Sequence, residues 1–424
     1  MTSIRAGAGL PPVTGMSRVG LHPLRMRRDG EAWVIGRVET GEFISAPPVA
    51  QRAISLLSRD RTVTEVRAAL QAEGTDVNVA GFVTTLAGLG FLSHIDGHRL
   101  EGPEPPRPTF PWLQPAHVRW VLQPATAAVA AVLILAGAGP VLIGRAPVPG
   151  YHDLIWSTSG GLVLLGNAAI AWTIIFVHEM AHLAAARAAG VPGRMSLSTR
   201  LQFLAAQTDV SGIWAAPRRV RLTVYLAGMT VNLLIFALCV PTAAIAVPAG
   251  LAHRLLVATG LISVLFVPPQ FLVFMRSDIY FVLQDITGCA NLYADGSAYF
   301  RYLAGRLWSA VSRRGRPSAD PSRNLPARQR RAVRAYTVIL AGGTAACLAV
   351  AATTTLPTAI TLLARAVAAI TGGSSVAGRF DALAVITVIG GFQLLWSRAW
   401  WRRHGHRVRR LRGHLYPNRR KEVR

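Results

Sequence analysis

The stretch "IIFVHEMAHLAAA", residues 174–186, places two histidines and a glutamate inside an otherwise apolar run. On a helix, residues four apart share a face, so His178 and His182 can turn both imidazoles towards one ion. Glu179 stands beside them, where a carboxylate can take a proton from water. Because ionisable side chains are costly within lipid and are seldom found there without a partner, the triplet predicts a metal site.

Further apolar runs lie on both sides of this stretch. The 424-residue chain is 51% hydrophobic and has a mean hydropathy of +0.36, a composition that places much of it in lipid. We therefore predict a mainly α fold, a polytopic membrane helical bundle of about six spans. The predicted spans are 121–143, 162–186, 222–247, 255–275, 336–359 and 380–396.

The formal net charge of +25 is carried by arginines that lie beside the apolar runs. Segment 297–335 holds ten arginines against one acid, Asp320, and residues 401–424 form a basic tail. Because positively charged loops stay on the cytoplasmic side, both termini are predicted to be cytoplasmic in a multi-pass protein of the cell (inner) membrane. The pattern favours membrane lipids over nucleic acid as the partner of these basic residues.

Residues 15–100, which precede the spans, have the composition of a small soluble domain. The pieces "EAWVIGRV" and "GEFISA" predict two short strands, and three helical segments and a closing "GFLSHIDG" follow. Thr62 and Glu65 form a capping-box pattern at one helix start. This order is winged-helix-like, and on pattern alone it leaves open a DNA-binding or a purely structural α+β domain. A Pro-rich linker, 101–118, joins it to a membrane region of 119–400.

The two histidines need a third protein ligand if they hold a catalytic zinc, which keeps one position open. Ala185 and Ala188 stand where an extended HExxHxxGxxH motif would supply a glycine and a third histidine, which excludes that class. No glutamate follows Glu179 until Glu422 in the basic tail. The plausible third ligand is therefore an aspartate.

Three aspartates are candidates for the third ligand. Asp278 and Asp285 lie just past the fourth predicted span, and Asp209 lies between the second and third. In the predicted topology the fourth span ends on the side where the two histidines lie, so Asp278 can meet them at a similar depth. The alternative for Asp278 is an ion pair with Arg276 at a helix end.

Four segments follow one another in a fixed order. They are "FVHEMAHLAAARAAG" (176–190), "QTDVSGIWAAPRRVRL" (207–222), "LAGMTVNLL" (226–234) and "SDIYFVLQDITGCANLYADG" (277–296). Together they resemble the site-2 protease family of intramembrane zinc metalloproteases, in particular its bacterial branch of peptide zinc metalloproteases. The resemblance implies that His178, His182 and Asp278 bind Zn²⁺ and that Glu179 is the general base.

The same resemblance implies further features near the site. Gly228 and Asn232 would belong to a third-span segment beside the metal, and extended strands would lie near 195–210. Asn232 is a candidate second catalytic residue that positions the substrate or the oxyanion, and the alternative is a buried polar contact between spans. The sequence also departs from the family pattern. Ile279 follows the aspartate where a glycine is usual, and Val273 stands where a proline is usual.

The N-terminal domain resembles another family. The pieces "EAWVIGRVETGEFISAPPVAQRAISLL" (31–57) and "GFLSHIDG" (90–97) are similar to pyrroloquinoline quinone chaperone D-like domains, which recognise leader peptides of ribosomally made natural products. Such domains pair the leader with an exposed strand edge. The resemblance implies that the domain binds a leader peptide and makes DNA binding less favoured.

These expectations combine into a membrane-embedded zinc metalloendopeptidase that acts on a peptide or membrane-protein substrate, with a role in maturation of a ribosomally made natural product. The alternative is a catalytically silent membrane scaffold that recruits a peptide to a modification or export complex. The scaffold accounts for Ile279 and Val273. It does not account for an intact HExxH triplet in lipid.

Overall fold

The computed structural model describes residues 11–105, 107–144, 148–200, 203–289, 291–312, 319–372 and 375–415. The described chain is mostly helical and has small β-sheets near its N-terminus. It divides into two compact units, each of which is described by itself. The first unit comprises Met1–Gln123, Leu183–Met195 and Thr208–Val224, and the second comprises Pro124–His182, Ser196–Gln207 and Tyr225–Arg424.

Short strands and three helices form the N-terminal part of the first unit. Strands β2, β3 and β4 form one antiparallel sheet, and β1, β5 and β6 form another. The two strands and three helices predicted here are therefore confirmed, and the closing "GFLSHIDG" contains strand β5. The elements are β1 (Val19–Leu21), β2 (Arg25–Asp29), β3 (Ala32–Arg37), β4 (Glu42–Ala46), α1 (Pro48–Leu57), α2 (Val63–Ala72), α3 (Val79–Gly88), β5 (Leu92–Ile95) and β6 (His98–Arg99).

Apolar side chains from these strands and helices share one core. Ile35 of β3, Leu57 of α1, Val66 of α2, Val83 of α3 and Phe91 beside β5 are all fully buried in it. Burying a side chain of this size contributes about 1.5–3 kcal/mol relative to leaving it exposed. The domain therefore has its own hydrophobic core.

The capping box predicted at the start of α2 is confirmed. The Thr62 backbone N–H donates to the Glu65 carboxylate at 2.8 Å, and the Glu65 backbone N–H donates to the Thr62 hydroxyl at 3.3 Å. The hydrogen bond from the Thr62 backbone lowers the pKa of the Glu65 carboxyl from its ordinary value. The reciprocal bonds satisfy two N–H groups that a helix start leaves unpaired.

Residues that follow the second membrane-length helix complete the first unit. Gly41, at φ +71° in the turn between β3 and β4, lies so close to Ser211 that a Cβ at Gly41 would be 2.9 Å from the Ser211 Cβ. Arg27 Nε donates to the carbonyl oxygen of Trp214 at 3.3 Å. These contacts pack the β2–β3–β4 sheet against the 3-10 turn Ser211–Ala215.

The described residues contain six helices that are long and apolar enough to cross a membrane. Their number confirms the prediction of about six spans, and their length and composition indicate a multi-pass membrane protein. The six are Pro124–Leu142, Gly160–Ala188, Arg218–Ala246, Leu251–Phe271, Ala327–Thr371 and Val376–Gly405.

Shorter elements connect these helices. A 3-10 turn, Val273–Met275, precedes the helix that begins at Asp278. The helices and strands that follow β6, long and short together, are in chain order α4 (Pro115–Val118), α5 (Pro124–Leu142), α6 (Gly160–Ala188), β7 (Arg194–Arg200), β8 (Phe203–Asp209), α7 (Arg218–Ala246), α8 (Leu251–Leu265), α9 (Asp278–Thr287), α10 (Leu292–Ser312), α11 (Ala327–Val350), α12 (Leu356–Thr371), α13 (Val376–Val385) and α14 (Gly391–Leu415).

Three predicted spans differ from the structure in extent. The sixth, predicted over 380–396, lies within the longer helix Val376–Gly405. The fourth, predicted over 255–275, has its α-helix at Leu251–Leu265, because two prolines follow and the chain turns into 3-10 geometry. The fifth, predicted over 336–359, is part of the 45-residue helix Ala327–Thr371. A π-helical segment, Ala351–Thr355, joins its two α-helical parts. The first turns of the helix Ala327–Thr371 contain arginines, which a hydropathy pattern excludes from a span. The predicted start of this span is therefore too late.

The described part of the predicted linker is irregular chain followed by helix, and the described part of the predicted tail is helix. The linker 101–118 ends in α4, and its residue 106 lies outside the described residues. The basic tail, 401–424, begins inside α14, and residues 416–424 lie outside the described residues.

Helices α5 and α8 both pack on α7 through glycine. A Cβ on Gly137 of α5 would lie 2.0 Å from the carbonyl oxygen of Ala237, and a Cβ on Gly260 of α8 would lie 2.8 Å from the Val240 side chain. Small residues of this kind let membrane helices approach closely. Helix α7, which contributes to the site described below, is thereby held by two neighbours.

Candidate metal centre

His178 and His182 occupy one face of α6, as the four-residue spacing predicted. Both residues are only 6% exposed. Their Nε2 atoms lie 3.2 Å apart, and the ring planes meet at 70°. The helix therefore presents two imidazole nitrogens at one point in the second unit.

Asp278, the first residue of α9, brings a carboxylate to the same point. Its Oδ2 lies 3.1 Å from His178 Nε2 and 3.2 Å from His182 Nε2. Burial alone would raise the pKa of the Asp278 carboxyl, but the charges and hydrogen bonds of the two histidines hold that pKa well below its usual range. The three residues form a buried group that could hold a metal ion.

The distances within this group fit a tetrahedral ion. Ligand atoms about 2.0–2.1 Å from such an ion lie roughly 3.3 Å from one another. The three edges of the triangle formed by His178 Nε2, His182 Nε2 and Asp278 Oδ2 measure 3.1, 3.2 and 3.2 Å. Hydrogen bonding alone explains such a triangle poorly, because one N–H points at only one acceptor. A single cation satisfies all three atoms together.

The turn before α9 fixes the Asp278 backbone. Its N–H donates to the side-chain oxygen of Gln270 at 3.2 Å, and the Ser277 hydroxyl donates to the Gln270 carbonyl oxygen. Arg276 has a left-handed backbone, at φ +58°, which reverses the chain into α9. Its guanidinium lies 5.6 Å from the centroid of the Tyr293 ring. Among the described residues, Asp278 pairs with the two histidines and forms no ion pair with Arg276, so that alternative is wrong.

Gly228 of α7 lies against His178. A Cβ added at Gly228 would be 2.3 Å from His178 Nε2, the atom that faces Asp278. The absence of a side chain at position 228 therefore leaves room for the ligand nitrogen. The sequence resemblance placed Gly228 near the site, and its contact with His178 agrees with that placement.

A cavity of about 350 Å³ is lined by His178 and by Ser277, the residue before Asp278. Glu179 and Asn232 line it, together with β8 residues Leu204, Ala205 and Ala206. Strands β7 and β8 form a two-stranded sheet where extended chain was predicted near 195–210, of which residues 201 and 202 lie outside the described residues. The predicted general base Glu179, the second predicted catalytic residue Asn232 and strand β8 thus line one cavity.

Asn232 is fully buried in the wall of this cavity. Among the described residues, neither its side-chain oxygen nor its side-chain nitrogen has a hydrogen-bond partner. Its backbone carbonyl accepts from the Ser263 hydroxyl at 2.9 Å. A buried amide without a partner costs free energy, so a role in binding a polar group accounts for it better than packing does.

The other predicted aspartates do not join the cluster. Asp285 lies in α9 but outside the group of metal-competent residues found in the described chain. Asp209 closes a turn, where it accepts from the Ser211 backbone N–H at 3.0 Å and from the Ser211 hydroxyl at 2.6 Å. Gln270 was missed by sequence reasoning, because nothing in "VPPQFLVFMRSD" marks it as a partner of the aspartate eight residues on.

The case for a metal site rests on the geometry of His178, His182 and Asp278. No family model, no curated protein and no solved structure matches this chain.

Proposed function

We propose that this chain is a membrane-embedded zinc metalloendopeptidase of the site-2 protease type, acting on a peptide or membrane-protein substrate. The observation that carries the proposal is the buried triangle of His178, His182 and Asp278, with Glu179 in the adjoining cavity. The start of α9, one face of α6 and the wall of the cavity come from distant parts of the sequence and meet at one point. Such convergence supports chemistry more strongly than the HExxH pattern does alone.

The donor set fits Zn²⁺. Two imidazoles and one carboxylate are ligands that zinc takes in catalytic sites, where three protein ligands leave a further position open. When bound, zinc supplies a Lewis acid that polarises a peptide carbonyl and makes water a nucleophile near neutral pH. His178, His182 and Asp278 would hold it.

Glu179 is assigned the proton transfers. It follows His178 directly on α6 and is buried in the cavity wall. Its carboxylate would take the proton of the attacking water and return it to the nitrogen of the leaving amine, as a general base and then a general acid. The proposal requires one carboxylate beside the metal ligands, and Glu179 meets that requirement.

Substrate positioning is assigned to Asn232 and β8. The unpartnered amide of Asn232 would donate to a carbonyl oxygen of the substrate and stabilise the charge that develops there. Strand β8 would hold the substrate peptide in an extended conformation. The extended form is needed because the carbonyl groups of a helical peptide are already hydrogen-bonded and its peptide bonds are shielded from attack. Both features line the cavity that contains Glu179.

The N-terminal domain is assigned to peptide capture. The proposal is supported by the sequence resemblance of this domain and by its edge strands, such as β2, which a leader peptide could extend. A captured leader would link the enzyme to maturation of a ribosomally made natural product. In this proposal the protein spans the cell (inner) membrane with both termini in the cytoplasm.

The metal assignment is tested by elemental mass spectrometry of the purified full-length protein. We expect about one zinc per chain in the wild type, and loss of zinc in His178→Ala and Asp278→Ala. Asp285→Ala is the matched control, since it removes an aspartate from the same helix and should keep the metal. A metal-free wild-type protein of native elution profile would overturn the proposal.

Turnover is tested with Glu179→Gln on a library of peptides, with new peptide termini read by mass spectrometry. We expect the variant to keep its zinc and to lose activity on the order of 10²–10⁴-fold, because only the proton transfers are removed. If the wild type binds zinc and produces no new termini, the silent scaffold is the better assignment. Equal cleavage by wild type and variant would exclude Glu179 as the base.

A further inference from the structure

A second cavity of the second unit contains cationic side chains. Its volume is about 600 Å³, and it shares Met275 with the cavity beside the metal ligands. Arg276, Arg403 and His404 line it, and its described lining includes no carboxylate. Two guanidinium groups around one space, without an acid to neutralise them, favour an anionic ligand.

Both arginines are held in place by their own contacts. The Arg276 guanidinium lies 5.6 Å from the centroid of the Tyr293 ring, and Arg403 Nη1 donates to the Thr199 carbonyl oxygen at 3.4 Å. A guanidinium has five N–H donors, so these contacts use only part of its capacity. Among the described residues, neither arginine forms an ion pair with a carboxylate.

The rest of the lining combines apolar and aromatic side chains with polar ones from the β7–β8 pair and Thr344, and two membrane-length helices supply part of it. Phe274 lies in the turn before α9, Leu340 lies in the helix Ala327–Thr371, and Trp400 lies near the end of Val376–Gly405. The Trp400 ring stacks on Trp396 with centroids 6.4 Å apart. Tryptophan beside arginine at the end of a membrane helix is typical of the lipid–water interface. The cavity therefore combines cations with an apolar wall at a membrane surface.

We propose that this cavity binds one anionic glycerophospholipid. Arg276 and Arg403 would hold the phosphate by charge-assisted hydrogen bonds, and Phe274 and Leu340 would contact the first part of an acyl chain. A peptide carboxylate would use the cations and leave the wall between membrane helices unused, so a lipid fits the whole lining better. The inference does not depend on the proposed proteolysis.

The test uses the full-length protein in detergent with mixed micelles of phosphatidylglycerol and phosphatidylcholine, read by native mass spectrometry. We expect about one retained phosphatidylglycerol per wild-type chain. Replacing both guanidiniums, by Arg276→Asn and Arg403→Gln, should weaken retention on the order of tenfold or more. Asparagine is chosen at position 276 because it tolerates the left-handed backbone found there.

The matched control removes the same charge elsewhere, by Arg301→Gln and Arg306→Gln on exposed positions of α10, and should retain the lipid. Arg403→Lys keeps the charge without the planar fork and should give intermediate retention, which keeps the test open if the double variant fails to fold. Equal retention of phosphatidylcholine, or equal retention by wild type and the double variant, would overturn the proposal. So would a wild-type protein that retains an acidic peptide and no phospholipid.

Discussion

Gly228 marks the point where α7 comes closest to a candidate metal ligand. A methyl group there would lie 2.3 Å from His178 Nε2, so the ring must move and take its nitrogen out of the triangle. We expect Gly228→Ala to weaken metal binding on the order of 10–100-fold, as changes to groups that orient a ligand do. Competition with a chelator of known affinity measures the change.

Gly342→Ala is the control for that experiment. It adds the same methyl group to α11, where a Cβ would meet nothing within 4 Å, and should leave metal affinity unchanged. If Gly228→Ala binds metal as tightly as the wild type, the imidazole has room to shift and the inferred steric role of Gly228 is wrong.

At the scale of single residues, local spacing was enough to predict part of the site. His178 and His182 share a face because four residues make about one turn, and that relation is written in the sequence. Asp278 lies a hundred positions further on, and only topology and a family resemblance pointed to it. Gln270 anchors the Asp278 backbone through a contact that exists only once the turn before α9 has folded.

At the scale of elements, the first turn of α6 is capped by a residue from α13. Asp381 Oδ1 accepts from the Gly161 N–H at 2.7 Å and from the Ser159 hydroxyl at 3.3 Å. A carboxylate at this point satisfies an N–H that the helix leaves unpaired and interacts favourably with the helix dipole. The cap acts on the helix that carries both candidate histidines.

We expect Asp381→Leu to destabilise the start of α6 by about 1–2 kcal/mol, because the N–H of Gly161 loses its acceptor. Hydrogen exchange in detergent measures this as faster exchange of amides near residue 161. Asp381→Asn keeps an acceptor oxygen and should show a smaller effect. Unchanged exchange in the leucine variant would mean that another group takes over the cap.

The N-terminal elements were more predictable than the membrane helices. The capping-box pattern of Thr62 and Glu65 predicts the start of α2. Apolar and polar residues alternate along the strands, as they do in half-buried strands. The helix Ala327–Thr371 carries no comparable signal at its arginine-rich start. The hydropathy signal of a span ends with its last apolar residue, whereas the backbone hydrogen bonds of the helix continue beyond it. Hydropathy therefore predicts that a span exists better than it predicts where the helix begins and ends.

At the scale of the whole molecule, six membrane-length helices would place both ends of the chain on one side of the membrane. The basic segment 297–335, with ten arginines, predicts that this side is the cytoplasm. We expect a fluorescent-protein fusion at either end to fluoresce and an alkaline phosphatase fusion at either end to be inactive. A phosphatase inserted between α5 and α6 should be active.

Phosphatase activity at only one end would contradict this topology, because the chain would then cross the membrane an odd number of times. Hydropathy was sufficient to predict the number of membrane-length helices, because it depends only on runs of apolar residues. The side on which the ends lie stays a prediction from charge. The two cavities could not be predicted in that way. Each is built from side chains of several helices and of the β7–β8 pair, which no local pattern connects.

The unpartnered amide of Asn232 has a thermodynamic consequence for the whole protein. Leucine has a similar size and no polar atoms, so Asn232→Leu should raise the free energy of unfolding by about 1–3 kcal/mol, seen as a higher melting temperature in detergent. A variant that gains stability and loses activity would show that Asn232 lowers the stability of the protein and is required for its activity.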